Sequence, residues 1–86
     1  MKTTTHFRNP LQLILQAELG RGNSIREVSQ WPPHCRMLVL LDRPFKRRYP
    51  LEPGVVFRKI NDPHYWKAEY AFEVEPGLWE CLACGF

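Results

Sequence analysis

The chain has 86 residues, 44% of them hydrophobic and 13% aromatic, with a formal net charge of +3. That length supports one hydrophobic core, so a single domain over residues 1–86 is expected, and the apolar content argues against a disordered chain. Three cysteines are an odd number, which argues against a disulfide framework and for reduced thiols in a cytoplasm. The polar start Met1–Thr5 and the interrupted apolar patch Leu11–Leu15 predict neither a signal segment nor a membrane span.

Asn9-Pro10 opens the first element. Asparagine is a favoured N-cap, and proline fits a first helical turn, where no amide donor is needed. Leu11, Ile14, Leu15 and Glu18 then follow helical spacing and predict one apolar face. Gly20 is the expected stop, by taking positive φ, and Gly22-Asn23 prolong the turn. Ser24 with Glu27 three residues on has capping-box spacing, so a second, shorter helix is predicted, with Ile25 and Val28 inward. Trp31-Pro32-Pro33 ends the helical region. The amides of Gly20–Ser24 could hold an anion, but a capped inter-helix turn explains them fully.

The remainder reads as strands. Met37–Leu41 is an unbroken apolar run, as expected of a central strand buried on both faces. Residues 45–54, with their cations, prolines and a glycine, form a loop. Val55–Ile60 is the next strand and Asn61-Asp62-Pro63 a turn, with helix allowed only over Pro63–Lys67. Trp66, Ala68, Tyr70, Phe72 and Val74 alternate with polar or small residues at the strand period, and Pro76-Gly77 suits a type II turn. Folding the chain there pairs Val74 with Trp79, Phe72 with Cys81 and Tyr70 with Ala83. The same register sets Glu73 opposite Glu80, a like-charge pair that calls for cations nearby. The expected fold class is α+β: two short N-terminal helices packed on one face of a mostly antiparallel sheet of about four strands.

Motifs for catalysis are scarce. His34 and Cys35 are neighbours whose side chains diverge in extended chain, with no carboxylate placed to orient the imidazole, and His64, after Asp62-Pro63 in a turn, reads as a surface or structural residue. No enzyme is expected, and no cofactor. Cys81-Leu82-Ala83-Cys84-Gly85 resembles one zinc knuckle, with Cys35, His34, His64 and His6 the other candidate ligands, yet a structural zinc needs four. Cys81 and Cys84 on one strand would also point to opposite faces.

Charge is the stronger signal. Residues 36–59 carry seven basic residues against two acidic ones, and residues 60–86 five acidic against one basic. Neighbouring strands could neutralise each other, or the basic segment could meet an anionic partner. Arg43, Lys46, Arg47, Arg48 and Tyr49, followed by Arg58 and Lys59, form the expected binding surface, because arginine and aromatic residues are enriched at interaction hot spots. The acidic outer face of the last hairpin is a second candidate surface. The expected function is a non-enzymatic protein-interaction module. The alternative is a nucleic-acid binder using loop 43–49 and strand 55–60, since cations bind phosphates and exposed rings stack on bases.

Overall fold

A computed structural model describes residues 7–30, 33, 35–59 and 68–84. One helix, α1 (Leu11–Gly20), precedes five strands: β1 (Ile25–Ser29), β2 (Cys35–Leu41), β3 (Val55–Lys59), β4 (Ala68–Glu75) and β5 (Leu78–Cys84). The strands make a single sheet in the order β1-β2-β5-β4-β3. The pair β2–β5 is parallel and the other three pairs are antiparallel. The α+β class stands, with one helix rather than two and a mixed sheet of five strands among the described residues.

The helix begins as its sequence implies. Asn9 Oδ1 accepts a hydrogen bond from the Leu11 amide at 3.0 Å. At the other end Gly22, not Gly20, takes the left-handed conformation (φ 97°). The buried side of α1 is Leu11, Ile14, Leu15 and Glu18. It lies over β4 and β5, joining Val39, Leu41, Tyr70, Leu82 and Cys84 in the larger core. Each of the three aliphatic side chains contributes about 1.5–3 kcal/mol by leaving water.

The predicted second helix is β1. Its apolar pair sits at i, i+3 because the ladder to β2 slips between Ile25 and Glu27, and a bulge carries both residues to the same face. Ladder bonding outweighs a helix too short to nucleate. Both side chains are exposed rather than inward.

β2 is buried from Leu38 to Leu41 without a break, as expected of an interior strand, and β5 likewise from Glu80 to Cys84. Alternation then divides the sheet. One face carries the core beneath α1. The other carries a second cluster of Cys35, Leu38, Leu40, Ala71, Cys81 and Ala83.

The last hairpin turns at Pro76-Gly77, with Gly77 at φ 80°. Its register differs from the expected one. Glu75 pairs with Leu78, but the ladder slips between Glu73 and Glu75, so Glu73 faces Trp79, Phe72 faces Glu80 and Tyr70 faces Leu82. The like-charge pair therefore never forms. Glu73 accepts from the Gly77 amide at 2.8 Å, while buried Glu80 accepts from Asn9 Nδ2 at 2.5 Å and stands 3.7 Å from Arg36. Strand β3 is described from Val55 to Lys59; Ile60, the Asn61–Pro63 turn, the helix over Pro63–Lys67, Trp66, and Trp31-Pro32 lie outside the described residues.

Pro53-Gly54 makes a second turn of the same kind, closed by the Val55 amide donating to the Glu52 carbonyl at 3.0 Å. Gly54 has φ 87°, and a Cβ there would stand 2.9 Å from the Phe72 ring. Gly54→Ala is expected to lower stability by about 1–3 kcal/mol, from left-handed strain plus the displaced ring. A urea midpoint equal to that of the wild type would show that the turn relaxes freely.

Candidate functional site

The loop between β2 and β3 is held from below by side chains far away in sequence. Asn23 accepts from the Arg43 amide at 2.9 Å and donates to the Arg43 carbonyl at 3.0 Å. Glu18, fully buried on α1, accepts from Asn23 Nδ2 at 2.9 Å, the Lys46 amide at 3.0 Å and the Tyr49 hydroxyl at 2.5 Å. The Tyr49 amide donates to the Tyr70 hydroxyl at 2.8 Å. Burial alone would push the Glu18 carboxyl up, but the hydrogen bonds from Tyr49, Asn23 and Lys46, with the charge of Arg21, hold it below the usual carboxylate value. Burial, with the hydrogen bond to Glu18 and its charge, pushes the Tyr49 hydroxyl up to about 12.

With its backbone tied down, the loop turns its cations outward. A cavity of about 310 Å³ opens between the loop and the sheet, lined by Phe45, Arg47, Arg48, Phe57, Lys59 and Tyr70 among others. Phe45 packs edge-on against Tyr70 at 5.0 Å, and Phe57 lies 4.9 Å from the same ring. The Arg48 guanidinium covers the Phe57 ring at 4.1 Å and Arg47 stands 5.3 Å from the Tyr49 ring. Such stacking holds a guanidinium in place while leaving its N–H edge free to bind.

The seven residues expected to form the binding surface therefore divide. Arg47, Arg48 and Lys59 come together at the cavity. Arg43 and Lys46 are exposed on the same loop, with their backbones clamped. Tyr49 is 6% exposed and belongs to the core. Arg58 faces away, since neighbouring strand residues alternate; it pairs with Glu69 and lies 5.7 Å from the Trp79 ring.

The acidic C-terminal third neutralises little of the basic segment. Arg58 meets Glu69, which is its partner in the β3–β4 register, and Arg36 meets Glu80. Among the described residues the charged groups of Arg43, Lys46, Arg47, Arg48 and Lys59 have no carboxylate within 4.0 Å. Of the acidic hairpin face, Glu69 and Glu80 are buried.

The cysteines are distributed over both faces. Cys84 lies in the core under α1, whereas Cys81 lies in the opposite cluster, 2.9 Å from Cys35. Two thiols on opposite faces of one strand do not chelate a common ion, so the C-x-x-C spacing makes no zinc knuckle. His34 lies outside the described residues, among which no three potential metal ligands cluster. Nor is any described helix long and apolar enough to cross a membrane.

Sequence reasoning missed Glu18 and Asn23 as determinants of this site. The one local signal for Glu18 was a carboxylate in the apolar stripe of the helix, where a charged group needs buried partners. No protein-family model matches the chain, and neither a curated protein nor a solved structure matches it.

Proposed function

We propose that this chain is a non-catalytic interaction module that binds an acidic segment of another protein at the cavity beside the 43–54 loop. The observation that carries the reading is the gathering of Arg47, Arg48 and Lys59 around one apolar-walled cavity with no carboxylate partner among the described residues. Three cations held close together without neutralisation repel one another, and a carboxylate-bearing partner relieves that repulsion. The clamp through Glu18 and Asn23 supplies preorganisation, so less loop entropy is lost on binding.

Single-stranded nucleic acid is the second reading, favoured by the two phenyl rings beside these cations. It ranks lower because the rings are already engaged: Arg48 covers Phe57, and Phe45 packs on Tyr70. Base stacking needs an open ring face. The non-catalytic part of the proposal draws support from the thiols. Burial pushes both Cys35 and Cys81 up, so little thiolate is present and only slow oxidation, not turnover, suits them. Three free cysteines suit a reducing cytoplasm, which is the location this reading assigns.

The test is affinity capture from a lysate of the source cell, with and without nuclease, using wild type and Arg47→Glu/Arg48→Glu/Lys59→Glu as baits. A protein partner that survives nuclease should be held by the wild type and lost from the variant, with affinity for the purified partner falling tenfold or more (about 1.4 kcal/mol). Thermal unfolding of the variant should stay close to the wild type, because exposed charges contribute little to stability. Equal partner binding by both baits removes the cavity from the reading. Recovery that vanishes with nuclease, and binding that falls steeply with salt, replaces the acidic segment with nucleic acid.

A further inference from the structure

The second core cluster contains a feature that the binding surface does not use. Cys35 on β2 and Cys81 on β5 bring their sulfurs to 2.9 Å, closer than ordinary packing of two thiols, and both residues are buried. The strands are parallel neighbours, and the ladder slips between Cys35 and Met37, which sets Leu38 across from Cys81 and brings Cys35 to the same face as both. A bulge of this kind re-aims a side chain. Here it directs Cys35 along the sheet toward its partner. A disulfide has its sulfurs about 2.05 Å apart, so closing the bond requires less than an ångström of further approach.

We propose that Cys35 and Cys81 are a redox modification site, at which a small hydroperoxide converts the dithiol to an intramolecular disulfide joining β2 to β5. The Cys35 thiolate attacks one peroxide oxygen and becomes a sulfenic acid as the O–O bond breaks, and the leaving hydroxide takes up a proton to form water. The Cys81 sulfur then attacks the Cys35 sulfur, the S–O bond breaks, and a second water leaves with the Cys81 proton. The two thiols together lose two electrons and two protons, and one hydrogen peroxide becomes two waters. Either sulfur can donate in this contact; with Cys81 as donor the contact favours the Cys35 thiolate and opposes that of Cys81, which makes Cys35 the attacking group. Only a small oxidant suits thiols 3% and 0% exposed, and the reaction is slow because burial disfavours the thiolate. A third thiol, Cys84, is also buried but sits on the other face and stays outside the pair.

The cysteines are 46 positions apart, and the chain between them contains the whole basic loop, β3 and β4. Cross-linking so long a segment removes many unfolded conformations, so oxidised protein should melt on the order of 10 °C above reduced protein. Arg58 and Glu69 are the charged groups that act on the pair.

The experiment treats the reduced full chain with hydrogen peroxide, quenches it, unfolds it, alkylates free thiols and measures intact mass. The expected product is lighter by two hydrogens and takes one alkyl group. Peptide mapping should find Cys35 joined to Cys81, and dithiothreitol should restore three alkylated thiols and the lower melting temperature. Cys35→Ala and Cys81→Ala should each abolish the two-hydrogen loss and the rise in melting temperature. A link involving Cys84, a covalent dimer, or gain of oxygens without loss of hydrogens would overturn the proposal. Should either variant fail to fold, the peptide map of the wild type decides alone.

Discussion

Tyr70→Ala is expected to cost about 4 kcal/mol or more, leaving a domain of this size close to unfolding at 25 °C. Tyr70 is fully buried at the centre of the larger core, with Phe57, Phe45 and Tyr49 at 4.9, 5.0 and 6.0 Å between ring centres. Truncation removes the transfer free energy of the ring and leaves a cavity under the loop. It also removes three aromatic contacts, each worth roughly 0.5–1.5 kcal/mol beyond buried area. Tyr70→Phe divides the effect. It keeps the ring but leaves the Tyr49 amide without its acceptor, a loss of about 1–3 kcal/mol for a buried donor. Urea unfolding followed by tryptophan fluorescence measures both. An alanine variant within about 1 kcal/mol of the wild type would mean that this ring is not the keystone of the core. The phenylalanine variant should also bind its partner more weakly than its small stability loss implies, because it frees the loop that carries Arg47 and Arg48.

What the sequence disclosed, and what it withheld, follows from how far apart the interacting residues lie. Helix α1, the interior strand β2 and the Pro76-Gly77 turn rest on local patterns, and each occurs where those patterns indicate. Two departures share one cause. At Arg26 and again at Val74 a bulge adds a residue to one strand, which turned β1's face pattern into a helix-like i, i+3 spacing and displaced the last hairpin by one position. A bulge is chosen by cross-strand pairing, and nothing in the local composition marks it. The parallel β2–β5 pair is equally non-local: it makes the mostly antiparallel sheet a mixed one and brings Cys35 beside Cys81. The basic loop was visible as a run of charge. Which cations converge was not, because strand alternation sends Arg58 to one face and Lys59 to the other. The clamp beneath them joins residues 20, 28 and 31 positions apart, and a linear pattern does not display such pairings.

Glu18→Gln is the substitution that ties stability to the proposed binding surface. The carboxylate accepts three hydrogen bonds, and every partner is a donor. Glutamine offers one oxygen and one NH₂ group. If that oxygen serves Tyr49 and Lys46, the NH₂ group faces the NH₂ of Asn23. Asn23 has no freedom to flip, because its own oxygen accepts from the Ser24 and Arg43 amides. The resulting donor–donor contact, with the loss of charge assistance, should cost about 2–4 kcal/mol. The pH dependence carries a signature of its own. The folded carboxyl titrates below the ordinary 4.5, so it contributes stability that is present above that pH and is lost as pH falls through the folded value. Tyr49 has the opposite sign. Its shift from 10.0 to about 12 contributes stability that is present below pH 10 and is lost as pH rises through about 12. The wild type should therefore lose stability at both extremes, and Glu18→Gln should flatten part of the acid limb. Tyr49 should meanwhile titrate nearer its ordinary value, as followed by ultraviolet absorbance. An acid limb identical in wild type and variant would show that Glu18 is not the group responsible. If the variant folds and keeps full affinity for the partner, preorganisation of the loop drops out of the binding account, and the cations alone must explain recognition.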